Sequence, residues 1–136
     1  MNQCKERKIE VKTKAEQIPH LRVCVTEKCG RDCIYCRPGG EACGVTNKPE
    51  MNLRQIYQLV LILAKYGIHH LKITGGEPMN RPDIPQMVSA LKSIRGIETI
   101  EIVTRSHRTG EMARRLKDSG LSIINFSLDS LDDMVF

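Results

Sequence analysis

Three cysteines, Cys29, Cys33 and Cys36, stand at the spacing C-x3-C-x2-C. Thiolates at such short intervals suit a soft metal centre. A [4Fe–4S] cluster ordinarily takes four cysteines, so three with no fourth at a fixed offset leave one iron open to another ligand. Zinc is the competing chemistry. It favours a closed set of four nitrogen or sulfur donors, and Cys43 is a candidate fourth. Further along, Gly75-Gly76-Glu77-Pro78 offers main chain without Cβ atoms beside a carboxylate. Thr104 and Ser127 offer hydroxyls, and Asp129 a carboxylate read as a local hydrogen-bonding group.

These residues need elements to position them. Residues 21–26 alternate and carry β-branched side chains, so they read as a strand that runs straight into the cysteine loop. Residues 37–50, with their glycines and prolines, read as a loop. Asn52 is a cap for a helix whose apolar stripe is Leu53, Ile56, Tyr57, Val60, Leu61 and Ala64, stopped by Gly67. A strand at 70–74 follows, then a helix capped by Asp83, with Ile84, Met87, Val88, Leu91 and Ile94 inward and Gly96 as its stop. Next come a strand at 99–104, a helix at 109–119 with Met112, Ala113 and Leu116 inward, and a strand at 122–128. The segment from Ser130 to Phe136 resembles the first turn of another helix.

The order βαβαβαβ predicts an α/β fold with a parallel sheet and right-handed crossovers. Four such strands cannot close a barrel, so an open edge and apolar surface are expected, and the chain reads as the N-terminal part of a longer protein. Residues 1–19 form a charged arm and residues 20–136 the folded part. In parallel sheets, ligands bind beyond the carboxyl ends of the strands. The cysteine loop, Gly75-Gly76-Glu77-Pro78, Thr104, and Ser127 with Asp129 all fall there, and four loops converging on one end point to a single site.

With 21 Lys and Arg against 16 Asp and Glu, the net charge of +5 tolerates an anionic partner such as a nucleotide. Much of that charge lies in the arm, where a solvated segment is expected rather than a nucleic-acid surface. The longest apolar run, 59–64, is too short to span a membrane. The N-terminus, with charges of both signs and no apolar stretch, is not expected to be a signal peptide. Six cysteines therefore suggest a reducing cytoplasm and a metal role rather than disulfides. Cys24, between Val23 and Val25, reads as a packed strand residue, and Cys4 as a free thiol in the arm. His69 and His70 point to opposite faces of a strand at the end away from the site, which argues against a metal pair. His107 lies on the active end.

The cysteine motif followed by Gly75-Gly76-Glu77-Pro78 resembles the radical S-adenosylmethionine (SAM) enzymes over residues 20–136. The strings Leu-Lys-Ile-Thr-Gly-Gly-Glu-Pro-Met-Asn-Arg at 71–81 and Asn-Phe-Ser-Leu-Asp-Ser-Leu-Asp-Asp at 125–133 are most similar to the GTP 3′,8-cyclase branch, lyases of molybdenum cofactor biosynthesis. The resemblance implies a partial TIM-like (β/α)6 radical SAM barrel, here the first four parallel strands with three connecting helices. It implies that Cys29, Cys33 and Cys36 ligate a [4Fe–4S] cluster whose fourth iron is chelated by the amino and carboxylate groups of SAM. An electron from the cluster then releases methionine and a 5′-deoxyadenosyl radical, which abstracts hydrogen from the substrate.

The same resemblance implies SAM contacts at Tyr35, Gly75, Gly76, Glu77, Thr104 and Ser127, and GTP contacts at Arg22 and Lys72. It further implies a reducing partner such as flavodoxin or ferredoxin, and leaves a homodimer open. Two loops depart from the cyclase pattern. After the third cysteine the chain reads Arg37-Pro38-Gly39-Gly40-Glu41-Ala42-Cys43, and after the third strand Thr104-Arg105-Ser106-His107. Both border the substrate side, so a radical SAM enzyme of a specialised pathway, acting on another nucleotide, a sugar or a peptide, is the alternative. A non-catalytic zinc-binding α/β module is the alternative of another class.

Overall fold

The computed structural model describes residues 20–33, 35–36 and 49–132. The arm at 1–19 with Cys4, the loop thiol Cys43 and residues 133–136 lie outside the described residues; of the helix turn expected from Ser130, residues 130–132 are described and are not helical.

Four strands, β1 (His20–Cys24), β2 (His70–Thr74), β3 (Thr99–Thr104) and β4 (Ile123–Phe126), form one parallel sheet in the order β1-β2-β3-β4. Helices α1 (Leu53–Ala64), α2 (Ile84–Lys92) and α3 (Thr109–Asp118) make the connections. This is the expected open α/β arrangement, and consecutive strands being neighbours is what right-handed crossovers on one side produce.

Strand periodicity decides what each face holds. Leu21, Val23 and Val25, Leu71 and Ile73, and Ile100 and Ile102 turn toward the helices and join the core, with Ile73, Ile100 and Ile102 fully buried. The helices answer with Ile56 and Val60, with Ile84, Met87, Val88 and Leu91, and with Met112 and Leu116. The alternate positions form the opposite, uncovered face. There the register sets Arg22 beside Lys72, Lys72 beside Glu101 and Glu101 beside Ile123, with Cys24 beside Thr74 one pleat nearer the carboxyl end.

Helix α1 starts on a reciprocal cap: Gln55 N donates to Asn52 Oδ1 at 3.0 Å, and Asn52 N donates to Gln55 Oε1 at 2.9 Å. Its stripe is rotated from the expected one. Leu63 packs on the core and Leu61 is exposed, because the stripe centres on Ile56 and Val60, and at about 100° per residue Leu61 falls at its rim. Gly67, Gly96 and Gly120 stop the helices with φ of 92°, 100° and 92°, as a left-handed C-terminal residue does.

Asp83 does not cap α2 with its side chain. The second residue of the helix is Pro85, which has no N–H to offer, and both Asp83 oxygens are taken by the Arg81 fork at 2.9 and 2.8 Å. Cys24 is likewise not packed. It lies on the uncovered face, exposed, its Sγ donating to Thr26 O at 3.3 Å. As the open edge predicts, Ile123, Ile124 and Phe126 of β4 are exposed.

Candidate functional site

The carboxyl end of the sheet gathers the loops that follow each strand. The segment after β1 lies flat against the segment after β2: Gly76 N donates to Thr26 O at 2.7 Å and Glu77 N to Lys28 O at 2.8 Å. This approach explains the two glycines. A Cβ on Gly75 would stand 2.6 Å from Thr26 O, and one on Gly76 only 2.4 Å from Lys28 O. The close neighbour shown for both is thus the chain's own cysteine-bearing segment. Asn80 Nδ2 adds a bond to Cys29 O at 3.1 Å, and Thr26 Oγ1 donates to Glu50 Oε1 at 2.6 Å. Arg81 Nη1 reaches both Val25 O and Met51 O at 2.8 Å, so one guanidinium ties the end of β1, the entry to α1 and, through Asp83, the start of α2.

Glu77 is 4% exposed and its carboxylate is fully engaged with protein. Oε1 accepts from Met79 N at 2.9 Å and Thr104 Oγ1 at 2.6 Å, and Oε2 accepts from Arg105 N at 2.9 Å. Thr104, 2% exposed, also accepts from Ser106 N at 3.0 Å. These two groups clamp the β2 loop to the end of β3, with their polar atoms bonded to each other.

Within this frame a cavity of about 210 Å³ opens between the loops, lined by Cys29, Cys33 and Cys36 together with Gly75, Gly76 and Ser127. Tyr35, Glu77, Thr104 and Arg105 also border it. None of the three is in a disulfide; two are half-buried and one is exposed. A donor set made of sulfur alone suits an iron–sulfur cluster or zinc over a hard cation. Three thiols facing one cavity fit a cluster with one iron left accessible. The fourth thiol among the described residues, Cys24, does not line that cavity.

Arg105 is the residue that sequence reasoning named without a role. Its Nη1 donates to Cys33 Sγ at 3.0 Å and to Tyr35 OH at 2.7 Å, and its Nη2 pairs with Asp129 at 2.5 Å. Tyr35 OH donates to the Asp129 carboxylate at 2.9 Å, and that bond holds the Tyr35 phenol above its ordinary pKa range. Asp129 is thus no local hydrogen-bonding residue: it joins the β4 end to loops 94 residues away in sequence. His107 is exposed in the same loop.

Arg22 and Lys72 lie on the uncovered face, two residues below the carboxyl ends of their strands, about 7 Å down the sheet. They line a broader hollow of about 610 Å³ with His20, His70, Glu101 and Ile123, within the range of about 300–1,000 Å³ usual for small-molecule sites. Lys72 Nζ is 2.8 Å from Glu101 Oε1, and this bond, helped by Asn125, holds the Glu101 carboxyl below its ordinary range. A hollow of similar size between α2 and α3, lined by Pro85, Ser89 and Arg115, brings together no group of metal or cofactor ligands.

At the amino end, ligand atoms of His69, His70 and Glu98 lie within 4.8 Å of one another. The imidazoles are engaged: His69 Nδ1 with Gly67 O at 2.9 Å, His70 Nδ1 with Thr99 Oγ1, and the His70 ring stacks on His20. No helix among the described residues is long and apolar enough to cross a membrane.

A family model described as the radical SAM superfamily matches residues 23–135. The chain is 36% identical over 114 residues to a GTP 3′,8-cyclase of Syntrophomonas wolfei, covering 84% of this chain and 35% of that protein. It is 37% identical over 112 residues to a GTP 3′,8-cyclase of Listeria monocytogenes, covering 82% and 34%. It is 38% identical over 118 residues to molybdenum cofactor biosynthesis protein 1 of Homo sapiens, covering 85% and 18%. The chain thus spans about a third of the length of the bacterial relatives. With four parallel strands whose carboxyl ends carry the three cysteines, and a family match over most of its length, the chain belongs to the radical SAM superfamily.

Proposed function

We propose that this chain is the SAM-binding portion of a radical SAM enzyme that acts on a nucleotide, in the manner of the GTP 3′,8-cyclases it is similar to. The observation that carries the reading is that Cys29, Cys33, Cys36, Gly75, Gly76 and Ser127 line one cavity at the carboxyl end of the sheet. Cys29, Cys33 and Cys36 would hold a [4Fe–4S] cluster. When bound, that cluster would supply the electron for reductive cleavage of a carbon–sulfur bond of SAM. Gly75 and Gly76 bring main chain to the edge where the SAM amino group would sit, and Ser127 brings a hydroxyl for its carboxylate or ribose. Tyr35, between two of the cysteines, would border the adenine. Glu77 and Thr104 serve by fixing that edge rather than by lending it free polar atoms.

Arg22 and Lys72 would receive the substrate phosphates on the uncovered face. Arg is suited to a bidentate phosphate contact, and Lys acts as a point charge. Lys72 is already paired with Glu101, and this favours, as a second reading, a substrate other than GTP with less negative charge at that position. The partners proposed are the nucleotide and a low-potential one-electron donor of the flavodoxin or ferredoxin kind. Cysteines without a disulfide among the described residues suit a reducing compartment.

The test is anaerobic reconstitution of the full-length protein with iron and sulfide. A brown product absorbing broadly at roughly 400 nm, and SAM cleavage lost on Cys33→Ser, support the reading. A colourless protein with stoichiometric zinc sinks it. Turnover of GTP against other nucleotides separates the two substrate readings.

A further inference from the structure

We propose that Arg105 is a positioning residue that raises the reduction potential of the cluster held by the cysteine loop, with Asp129 opposing it. The inference rests on the reading above and concerns this chain's departure from the cyclase pattern, since Arg105 lies in the loop that departs.

Arg105 is held from several sides. Its main-chain N–H donates to Glu77 at 2.9 Å, and its carbonyl accepts from Arg31 Nη2 at 3.2 Å. The guanidinium then spans Cys33 Sγ at 3.0 Å, Tyr35 OH at 2.7 Å and Asp129 at 2.5 Å. Its side chain is 18% exposed, and Nε is buried without a hydrogen-bond partner among the described residues. This is a costly way to keep an arginine on a scaffold for packing alone, because an unpaired buried donor costs free energy.

A guanidinium keeps its charge at any working pH. A fixed positive charge that hydrogen-bonds a ligating sulfur favours the cluster state with one more electron, because that state carries one more negative charge. Hydrogen bonds to cluster sulfurs and net charge are two of the levers that set such potentials. Asp129 has the opposite sign and shares the same guanidinium, and at 47% exposure its opposition is partly screened by water. The pair therefore makes a signed prediction that a packing role does not: neutralising the two partners moves the potential in opposite directions.

The test is a potentiometric titration, followed by electron paramagnetic resonance, of the reconstituted full-length protein. Arg105→Gln is expected to shift the one-electron equilibrium at least tenfold toward the oxidised cluster, about 59 mV lower. Asp129→Asn is expected to shift it toward the reduced cluster by less. Arg105→Lys, which keeps the charge and loses the fork, should fall between wild type and Arg105→Gln. Midpoints that coincide in wild type and Arg105→Gln overturn the inference and leave the proposed function standing. If Arg105→Gln takes up no cluster, the Asp129→Asn arm decides, and an unchanged or lowered midpoint there overturns it. A wild-type protein that takes up no cluster on its three cysteines sinks the proposed function and this inference together.

Discussion

On the helix side of the sheet Leu71, Ile73, Ile100 and Ile102 are at most 2% exposed, whereas the sheet turns Arg22, Lys72, Glu101 and Asn125 the other way, with the Lys72–Glu101 pair 33% and 22% exposed. Parallel sheets are commonly covered on both faces and read as near-continuous apolar runs. These strands alternate instead. The difference teaches that one face carries the stability while the other stays polar and uncovered, so substitutions at adjacent positions of one strand should separate packing from the proposed ligand contacts.

The largest effect should come from the helix side. Ile102→Ala removes a fully buried side chain between β2, β4 and the helices, and should lower stability by about 2–5 kcal/mol, read as an earlier melting transition of the full-length protein. Gly76→Ala tests the edge between the faces. Its Cβ would stand 2.4 Å from Lys28 O, and the forced displacement should cost about 1–3 kcal/mol and reduce iron bound per chain in reconstitution. On the uncovered face, Arg22→Ala should change stability by less than about 1 kcal/mol. It should weaken nucleotide binding about tenfold by equilibrium titration, as loss of a charged phosphate contact does. A melting shift as large as that of Ile102→Ala would erase the distinction between the faces.

The smallest effect lies outside both faces, at the Arg81–Asp83 pair. The Arg81 fork holds the Asp83 carboxyl below its ordinary range. A depressed folded pKa gives stability that is complete above the unfolded value and is lost as pH falls through the folded one. The loss should therefore run from about pH 4 downward. With Asp83 about one-third exposed, it should amount to less than about 1 kcal/mol. Asp83→Asn should flatten that acid limb of the melting temperature, and an unchanged limb would show that the pair contributes nothing.

Much of the frame was legible because it rests on local patterns. The β3 bounds at 99–104 and the β2 bounds at 70–74 follow from alternation, and Asn52 announces α1, though the reciprocal bond from Gln55 was not read. The stripe of α1 was misplaced toward Leu61 because periodicity fixes a stripe only to within a neighbouring residue, and the sheet chose the side of Leu63. Cys24 looked packed because alternation with Val23 and Val25 does not say whether a second layer covers the other face. Asp83 looked like a cap because the competing fork of Arg81 is a side-chain event that no cap pattern encodes. The same holds at the site. The cysteines and glycines were readable from spacing. Two of the three partners of the Glu77 carboxylate lie 27 and 28 residues away, and the Arg105 bond to Cys33 joins residues 72 apart. A lone arginine after a strand carries no local sign of such a contact.

The seam between residues 26–28 and 75–77 is closed by main-chain groups, Gly76 N to Thr26 O and Glu77 N to Lys28 O. Such bonds do not read side-chain identity. Position 28 can therefore drift through many residue types while the seam stays shut, but positions 75 and 76 admit glycine alone because a methyl group there meets backbone oxygen. A library randomised at positions 28, 75 and 76 and selected for iron uptake should return glycine at the last two and a broad spectrum at the first. This end of the sheet is in this sense fixed by what two residues lack, and a lineage can rebuild the neighbouring loops without disturbing it.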